Sequence, residues 1–299
     1  MLGLLVSSLR RLVPKEAKVR LRGYGNAWAA ARRTRRRERA IERYGQFEAG
    51  ELASLLRETA GIPVGSVLFA QCSLNDMHTF KGGAAGVLRA LTEVVGPSGT
   101  LLMPAYTENA WATPPRLFDV KKEPTYAGLV SELFRRSPGV IRSLHPRHSI
   151  CGKGPIAEEI LAGHDRCVRA DGRDSPFDRL RNRDDAFVVT IGLPFGIASF
   201  FHWVEDYEPD KLPFPVHKKM PTKCIVRDAQ GAEREVLDWG LRPEVAATVS
   251  SGRVARLLSP QALRVVTHKG ITICIYRFAV LAKELLDLRD RGIIHYRRR

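Results

Sequence analysis

A histidine and a glutamate three positions apart, His202 and Glu205, are the residues of this sequence best suited to proton transfer. On a helix, residues at this spacing share a face, so the imidazole and the carboxylate can touch. A carboxylate beside an imidazole selects which ring nitrogen carries the proton and stabilises the imidazolium once a proton is taken. We therefore predict that His202 is a general base and that Glu205 orients it. A surface histidine beside an acidic helix end has the same spacing and is the alternative.

Two other histidines, His145 and His148, are rivals for the catalytic role. Both lie among cations, with Arg142 before them and Arg147 between them. Guanidinium groups match phosphate oxygens, so this segment suits phosphate binding or the shaping of a pocket better than proton removal. His202 therefore remains the predicted base.

Three smaller features could also take part in chemistry. Cys72 could carry an acyl group, but no neighbour in the sequence lowers its pKa, and we favour a small buried thiol. Gly82 and Gly83 open a predicted helix, whose unpaired amides would attract phosphate, although glycine pairs also mark ordinary turns. Residues 205–210 hold four carboxylates, which form either an acidic patch for a cationic ligand or a solvated loop.

The elements that must position these residues alternate between buried strands and amphipathic helices, which is typical of an α/β fold. We predict a mixed central sheet flanked by helices, with a later pair of strand-like segments over 223–237. The predicted strands of the sheet are 67–70, 100–103, 186–191 and 271–276, and the predicted helices are 49–60, 84–95, 128–136, 155–162 and 278–289.

Length and composition indicate a globular protein. At 299 residues, of which 44% are hydrophobic, the chain can bury a sizeable core. No apolar run approaches the ~18 residues that cross a bilayer, and no basic stretch precedes the Leu-rich N-terminus, so we expect neither a membrane span nor a secretory signal. The five cysteines lack metal-like or paired spacing, so we expect single buried thiols, no metal site and a cytoplasmic location.

The positive charge is concentrated at the N-terminus. Residues 1–45 hold 13 Lys and Arg against 3 Glu, which is +10 of the total +16. Leucines at helical spacing beside these cations suit a helix lying on an anionic membrane surface, such as the inner face of a membrane. Packing on the body or on the second subunit of a homodimer fits equally well, and nucleic acid fits less well because no base-reading module is present. We divide the chain into a basic amphipathic N-terminal arm, 1–46, and a domain, 47–299.

Several motifs also occur in a fixed order between residues 66 and 205. They are Gln71-Cys72-Ser73-Leu74, Lys81-Gly82-Gly83-Ala84, the stretch 96–107, Arg142-Ser143-Leu144-His145-Pro146-Arg147-His148-Ser149, Asp174-Ser175-Pro176-Phe177 and Ser199-Phe200-Phe201-His202-Trp203-Val204-Glu205. In this order and spacing, the chain resembles the aminoglycoside 3-N-acetyltransferase family of antibiotic N-acetyltransferases over roughly residues 50–290. No single motif is specific, but the combination is.

The resemblance implies an acetyltransferase with acetyl-CoA as co-substrate, an amine acceptor, and a catalytic histidine on the last motif. It also implies an α/β fold distinct from the commoner acetyltransferase superfamily. By the same carry-over, the coenzyme-binding residues are Ser73, Gly82, Gly83, Ser143, His145 and Ser149. We also predict that Tyr106, Asp174 and Asp206 bind the substrate, the two carboxylates because they would attract a cationic amino sugar.

Two motifs depart from the family pattern. The family's His-Ser-Ser-Leu appears here as Gln71-Cys72-Ser73-Leu74, and its Asn-Thr-Ser-Leu-His appears as Ala198-Ser199-Phe200-Phe201-His202. Both changes touch the expected site, so the resemblance leaves the acceptor open between an aminoglycoside and an amino sugar in a cell-envelope or exported glycan precursor. A non-catalytic protein that binds nucleic acid or membrane through its basic arm is the alternative function.

The side chains around His202 favour a mono-amino sugar, nucleotide- or lipid-linked, over an aminoglycoside. We expect the rings of Phe200, Phe201 and Trp203 to pack against a sugar face. We also expect a cationic wall, formed by His145, Arg147 and His148, to repel a polycation.

Overall fold

The centre of the computed structural model is a seven-stranded sheet, and the described residues are 31–107 and 116–297. Two neighbouring strands, β1 (Val67–Cys72) and β6 (Ala186–Ile191), are apolar and buried almost throughout. Continuous apolar runs of this kind mark strands that are covered on both faces. The other strands of this sheet are β2 (Thr100–Pro104), β4 (Ile141–Arg142), β5 (Ile150–Lys153), β9 (Leu263–His268) and β10 (Ile271–Arg277).

The sheet is mixed, as predicted, and its order is β4-β5-β2-β1-β6-β10-β9. Strand β1 pairs in parallel with both β2 and β6, whereas the other neighbours pair antiparallel. The chain passes from β1 to β2 on one side and later returns to β6 on the other side. Ligands of open α/β sheets bind outside the carboxyl ends of the strands at such a switch point.

Helices cover both faces of the sheet. Alternate side chains of β1 enter different cores, with Leu68 and Ala70 on one face and Val67 and Phe69 on the other. The first face packs against α1 (Ala49–Ser54), α2 (Gly83–Val95) and α3 (Leu129–Arg135). The second face packs against α4 (Ala157–Leu161), α5 (Pro176–Leu180), α6 (Phe201–Tyr207) and α9 (Phe278–Asp290). Each large apolar side chain buried in this way contributes about 1.5–3 kcal/mol.

The predicted helices and strands are confirmed to within a few residues. The predicted helix 49–60 is divided, because α1 continues as the π-helical turn Leu55–Thr59. Two short helices, α7 (Pro243–Ala246) and α8 (Ser251–Ala255), precede β9.

A second, three-stranded sheet lies beside the first and has its own small core. It consists of β3 (Leu117–Asp119), β7 (Thr222–Arg227) and β8 (Glu233–Asp238). The alternating segment predicted over 223–237 is the β7–β8 hairpin, whose inward residues Val226 and Val236 pack on Phe118.

Part of the predicted basic arm is described. Residues 31–44 are helical, and residues 31–39 are exposed, while the rest of the arm, residues 1–30, lies outside the described residues. In residues 31–107 and 116–297, no helix is both long enough and apolar enough to span a bilayer.

Candidate active site

Helix α6 brings His202 and Glu205 together. Its apolar residues Phe201, Trp203 and Val204 are buried against the sheet and fix the helix in place. One helical turn then places Nδ1 of His202 2.9 Å from Oε1 of Glu205. The two predicted residues are therefore in hydrogen-bonding contact.

Glu205 is buried, at 3% exposure, and is surrounded by donors. Tyr296 donates its hydroxyl to Oε1 at 2.8 Å, and Nε2 of His295 lies 3.2 Å from Oε2. Burial alone would raise the pKa of Glu205, but the charges of His202 and His295 and the hydrogen bond from His202 hold it well below its usual range. Glu205 is therefore a carboxylate.

His202 is partly open to solvent, with 28% of its side chain exposed. Burial of the ring would lower the pKa of His202, but the adjacent Glu205 carboxylate and then Asp171 raise it above the ordinary value. Nδ1 faces Glu205 and the Tyr296 hydroxyl at 3.2 Å, whereas no described side chain hydrogen-bonds to Nε2. The neutral ring therefore donates from Nδ1 and keeps its lone pair at Nε2, as a general base requires.

His148 is arranged in the opposite way. Arg147 donates to Nε2 of His148 at 2.6 Å, and Nδ1 of His148 lies 2.6 Å from Oδ2 of Asp171. Arginine only donates, so Nε2 of His148 must be the acceptor and Nδ1 must carry the proton. Burial, followed by the charges of Arg147 and His202, keeps the pKa of His148 well below its ordinary value. Its lone pair is occupied, so His148 is not suited to remove a proton.

His145, the other rival, is fully buried. Its Nδ1 accepts the backbone amides of Arg147 and His148 at 3.3 and 3.1 Å, and its ring stacks on His164 at 4.9 Å. Burial keeps its pKa well below the ordinary value. The ring is neutral and supports the turn that carries Arg147 and His148.

Besides Glu205, three described acidic residues contact the site or were predicted to bind substrate there. Asp171 contacts His148, and its pKa is raised to about 6, chiefly by burial. Asp206 accepts the backbone amide of Asp171 at 2.9 Å and pairs with Nε2 of His217 at 2.6 Å, so both of its oxygens have partners. Asp174 is exposed, in a left-handed conformation with φ of +64°. Substrate binding by Asp174 and Asp206 stays a prediction.

The acidic stretch 205–210 is not an open acidic patch. Glu205 and Asp206 are buried in the contacts just described. Glu208 is neutralised by cations at 3.2, 3.1 and 2.8 Å, which are Arg173, Lys211 and Arg289.

The ends of β1 and β2 form the facing wall. Gln71 exchanges two hydrogen bonds with Ser199, from its Nε2 to Oγ at 2.8 Å and from the Ser199 amide to its Oε1 at 2.9 Å. The two departures from the family pattern therefore contact each other. Tyr106, just after β2, packs on His148 at 5.1 Å, and His148 lies 6.1 Å from His202 between ring centres. The ring of His148 thus lies between His202 and Tyr106, which was predicted to bind substrate.

The glycines predicted to bind coenzyme begin α2. Gly82 and Gly83 have φ of +154° and +59°, and a Cβ on Gly82 would lie 3.4 Å from the Phe80 ring. Ser73, directly after β1, bonds to the Asp76 carboxylate. That these three residues hold the coenzyme stays a prediction.

The other predicted coenzyme residues, besides His145, are two buried serines. Ser143 shares a hydrogen bond with Nδ1 of His164 at 2.7 Å and accepts the Ile150 amide at 2.8 Å. Ser149 donates to the Ala105 carbonyl at 2.7 Å. Both hydroxyls hold the 143–149 loop against the sheet. We therefore expect any contact with the coenzyme to come from other atoms of this loop and not from these two hydroxyls.

The predicted aromatic wall was wrong. Phe200, Phe201 and Trp203 are at most 1% exposed, and Phe200 stacks on Trp203 at 5.4 Å inside the core. They face the sheet because α6 needs an apolar side to pack there. Among the described residues near Tyr106, Tyr126 is half exposed, and its ring lies 6.3 Å from that of Tyr106.

The predicted cationic wall is reduced to one residue. His145 and His148 are neutral for the reasons given above. Arg147 stays charged, because Asp238 at 2.8 Å raises its pKa against the effect of burial. The pair of opposite charges leaves little net repulsion for a cationic ligand.

Cys72 is a buried thiol, as we favoured. Burial raises its pKa to about 12, so it does not form a nucleophilic thiolate near neutral pH. In the described part of the chain, the cysteines are all free and buried.

Among the residues that the structure describes, two sets of side chains are close enough to be considered as metal ligands, namely His202, Glu205 and His295, and Glu205, Asp206 and His217. In each set, two of the possible ligand atoms are hydrogen-bonded to each other. Nδ1 of His202 lies 2.9 Å from Oε1 of Glu205, and Nε2 of His217 lies 2.6 Å from Oδ1 of Asp206. We interpret both sets as hydrogen-bonded networks.

Sequence reasoning missed Asp171, His295 and Tyr296. Tyr296 is 91 residues from its partner Glu205, and no local spacing connects them. The available signal was weak: a histidine and a tyrosine follow the last helix, just before a basic end.

Comparison with known proteins matches residues 69–266 to the family model described as aminoglycoside 3-N-acetyltransferase. A curated relative, aminoglycoside N(3)-acetyltransferase III from Salmonella sp, is 32% identical over 162 residues, which cover 48% of this chain and 56% of the relative. The chain thus spans little more than half the length of this relative.

Two solved structures share the fold. Aminoglycoside acetyltransferase AAC(3)-Xa superposes with a TM-score of 0.72 at 20% identity, covering 87% of this chain and 99% of that one. AAC-IIIb in its binary complex with CoASH superposes with a TM-score of 0.67 at 19% identity, covering 84% and 99%.

Proposed function

This chain belongs to the aminoglycoside 3-N-acetyltransferase family, and we propose that it transfers the acetyl group of acetyl-CoA to an amine on an amino sugar. The observation that carries the proposal is the His202–Glu205 dyad. Its Nδ1 is held by a buried carboxylate, and its Nε2 has no hydrogen bond within the described residues.

The transfer takes place directly, in a ternary complex. An amine is protonated at neutral pH and cannot attack a thioester until it loses a proton. Nε2 of His202 takes that proton, and the amine nitrogen bonds to the carbonyl carbon. As the carbon–sulfur bond breaks, the nitrogen loses a second proton to become an amide nitrogen and the sulfur gains one, so coenzyme A leaves as its thiol and one proton passes to solvent. Glu205 stabilises the imidazolium that forms in between. Cys72 takes no part, because its thiol stays protonated.

The coenzyme binds at the carboxyl ends of β1 and β2. Backbone amides near Ser73 and at the start of α2, next to Gly82 and Gly83, steady its phosphates or the oxyanion. The start of a long helix supports this placement, since its first amides have no partner within the helix. The loop 143–149 forms the adjoining wall.

Release of thiol from acetyl-CoA in the presence of a panel of amines tests the proposal. The panel contains simple amines, free amino sugars, amino-sugar nucleotides and kanamycin-type aminoglycosides. Acceptor-dependent thiol release is the expected result, and its absence across the panel would refute acetyl transfer to amino sugars.

Within that panel, we expect an amino-sugar nucleotide to exceed the aminoglycosides in kcat/KM by about tenfold or more. The described carboxylates near His202 already have hydrogen-bond partners. Asp171 pairs with His148, Glu205 with His202, and Asp206 with His217. A polycation therefore finds few carboxylates to pair with its ammonium groups, and the expected tenfold ratio corresponds to about 1.4 kcal/mol.

The matched variant for this comparison is Gln71→His, which restores the residue usual in the family. This variant is expected to reduce the ratio of kcat/KM for the amino-sugar nucleotide to kcat/KM for the aminoglycosides. The reason is that it removes the hydrogen bonds between Gln71 and Ser199, which distinguish this site from the family pattern. If the drugs are the better substrates of the unaltered enzyme, aminoglycoside modification is the activity of this chain.

We further propose that the basic arm places the enzyme on an anionic membrane surface. Residues 31–39 form an exposed helix rich in arginine. Each basic residue near such a surface contributes about 1 kcal/mol. Replacing Arg33, Arg35, Arg36 and Arg37 with glutamine should therefore weaken sedimentation with phosphatidylserine vesicles by at least about 100-fold, while turnover of a soluble acceptor stays unchanged.

Substitution of the same four arginines by lysine is the control, since it keeps the charge and should keep vesicle binding. Deletion of residues 1–40 should act like the glutamine variant. An unfolded deletion variant would show that the arm packs on the body, and salt-dependent binding to duplex DNA in place of vesicles would support the nucleic-acid alternative.

A further inference from the structure

Tyr296 and His295 reach Glu205 from residues 293–297, beyond the last helix. We propose that Tyr296 is a positioning residue that fixes the Glu205 carboxylate and moderates the basicity of His202, with His295 in support. The kinetic part of this inference rests on the proposed function, whereas the effect on the proton affinity of His202 does not.

The hydrogen bonds leave the carboxylate little freedom. Oε1 of Glu205 accepts from both Nδ1 of His202 at 2.9 Å and the hydroxyl of Tyr296 at 2.8 Å. Oε2 faces Nε2 of His295 at 3.2 Å. Each oxygen has a nearby donor, so rotation of the carboxylate away from His202 would separate it from Tyr296 and His295 as well.

The segment that carries these donors is itself held by α8. Arg253 donates to the carbonyls of Ile294 and Tyr296 at 2.7 and 3.1 Å, and the amide of Ser250 donates to the carbonyl of His295 at 2.6 Å. Ile294 and Tyr296 also belong to a small buried cluster of apolar side chains. The position of the Tyr296 hydroxyl is therefore fixed by both backbone and packing.

Sharing Oε1 between two donors has a definite electrostatic consequence. A hydrogen bond from Tyr296 withdraws charge from the oxygen that faces Nδ1, so the carboxylate stabilises the His202 imidazolium less than it otherwise would. Loss of the hydroxyl should therefore raise the pKa of His202.

The other groups that act on His202 stay in place when that hydroxyl is removed. Asp171 raises its proton affinity and Arg147 lowers it. Within the described ranges, the titratable and charged groups around His202 are Glu205 on its own helix, Arg147 and His148 before β5, Asp171 before α5, and His295 and Tyr296 after α9. A shift on loss of one hydroxyl therefore reports Tyr296 alone.

Titration of the His202 ring nitrogens by NMR in ¹⁵N-histidine-labelled protein tests the inference, because it requires neither substrate nor turnover. Tyr296→Phe should raise the pKa of His202 by about half a unit or more, the scale of one hydrogen bond to a charged group. In kinetic assays, kcat should fall about tenfold with the KM for acetyl-CoA unchanged, and the acidic limb of kcat/KM should move to higher pH.

The matched control is Tyr276→Phe. It also removes a buried hydroxyl from a ring that lies near Phe201, on the helix that carries His202 and Glu205, but this hydroxyl is bonded to neither of them. It should leave the titration of His202 unchanged. Arg253→Gln, which loosens the segment without altering Tyr296, should move the pKa of His202 in the same direction by a smaller amount. A His202 titration that is unchanged or moves downward in folded Tyr296→Phe overturns the inference, whether or not acetyl transfer is observed.

Discussion

Replacement of His202 by alanine is expected to lower kcat by about 10²- to 10⁴-fold, the usual contribution of a general base. The acceptor amine then has no group to take its proton before it attacks the thioester. The neighbouring histidines cannot substitute, because Nε2 of His148 is occupied by Arg147 and His145 is fully buried. The variant should fold, since the His202 side chain is 28% exposed and packs no core.

Steady-state kinetics with the best acceptor of the panel and a thermal melt measure this effect. The KM for acetyl-CoA should change little, because His202 is not among the residues predicted to bind the coenzyme. His145→Ala is the control for the rival histidine, and the folded fraction should turn over within about tenfold of the unaltered enzyme. Near-normal kcat in folded His202→Ala would falsify the assignment of the base.

The pH dependence of kcat/KM provides a second test of the same group. The base acts only when neutral, and Glu205 and Asp171 raise the pKa of His202 above its ordinary 6.5. The rate should therefore fall as the pH drops through that raised value. This limb should disappear in His202→Ala.

Much of the fold was predictable because its central elements carry local patterns. The predicted strand 186–191 coincides with β6, and the predicted helix 84–95 begins one residue inside α2. The strands that were missed lie towards the sheet margins. Strand β4 has two residues, β5 contains Gly152, and β9 is an edge strand with mixed exposure, so none of them has the apolar run of a central strand.

The site was predictable where its contacts are local. His202 and Glu205 lie one helical turn apart, and this spacing is visible in the sequence. Tyr296 meets the same carboxylate from 91 residues away, and Asp171 joins the site through a loop, so only the fold brings them together. The aromatic wall failed for the opposite reason, because residues beside His202 in the chain point to the other side of α6.

Substitution of Glu205 by glutamine is expected to lower kcat by about 10³-fold without removing any atom from the packing. The carboxylate accepts from Nδ1 of His202 and from Tyr296. An amide can instead donate to Nδ1, which moves the ring proton to Nε2 and leaves no lone pair for the acceptor amine. It also removes the negative charge that stabilises the imidazolium, and in Ser-His-Asp enzymes the equivalent change costs about 10⁴-fold.

The pH profile separates this explanation from a loss of folding. Without the carboxylate the pKa of His202 should fall, so the acidic limb of kcat/KM should move to lower pH, opposite to the shift expected for Tyr296→Phe. Glu208→Gln is the matched control. It neutralises a glutamate that directly follows the same helix, and this glutamate pairs with Arg289 and not with His202. It should retain the kcat and the pH profile of the unaltered enzyme. If Glu205→Gln were as active as Glu208→Gln, with the same acidic limb, then Glu205 would not orient His202. The proposal that the His202–Glu205 pair supplies the general base would then be wrong.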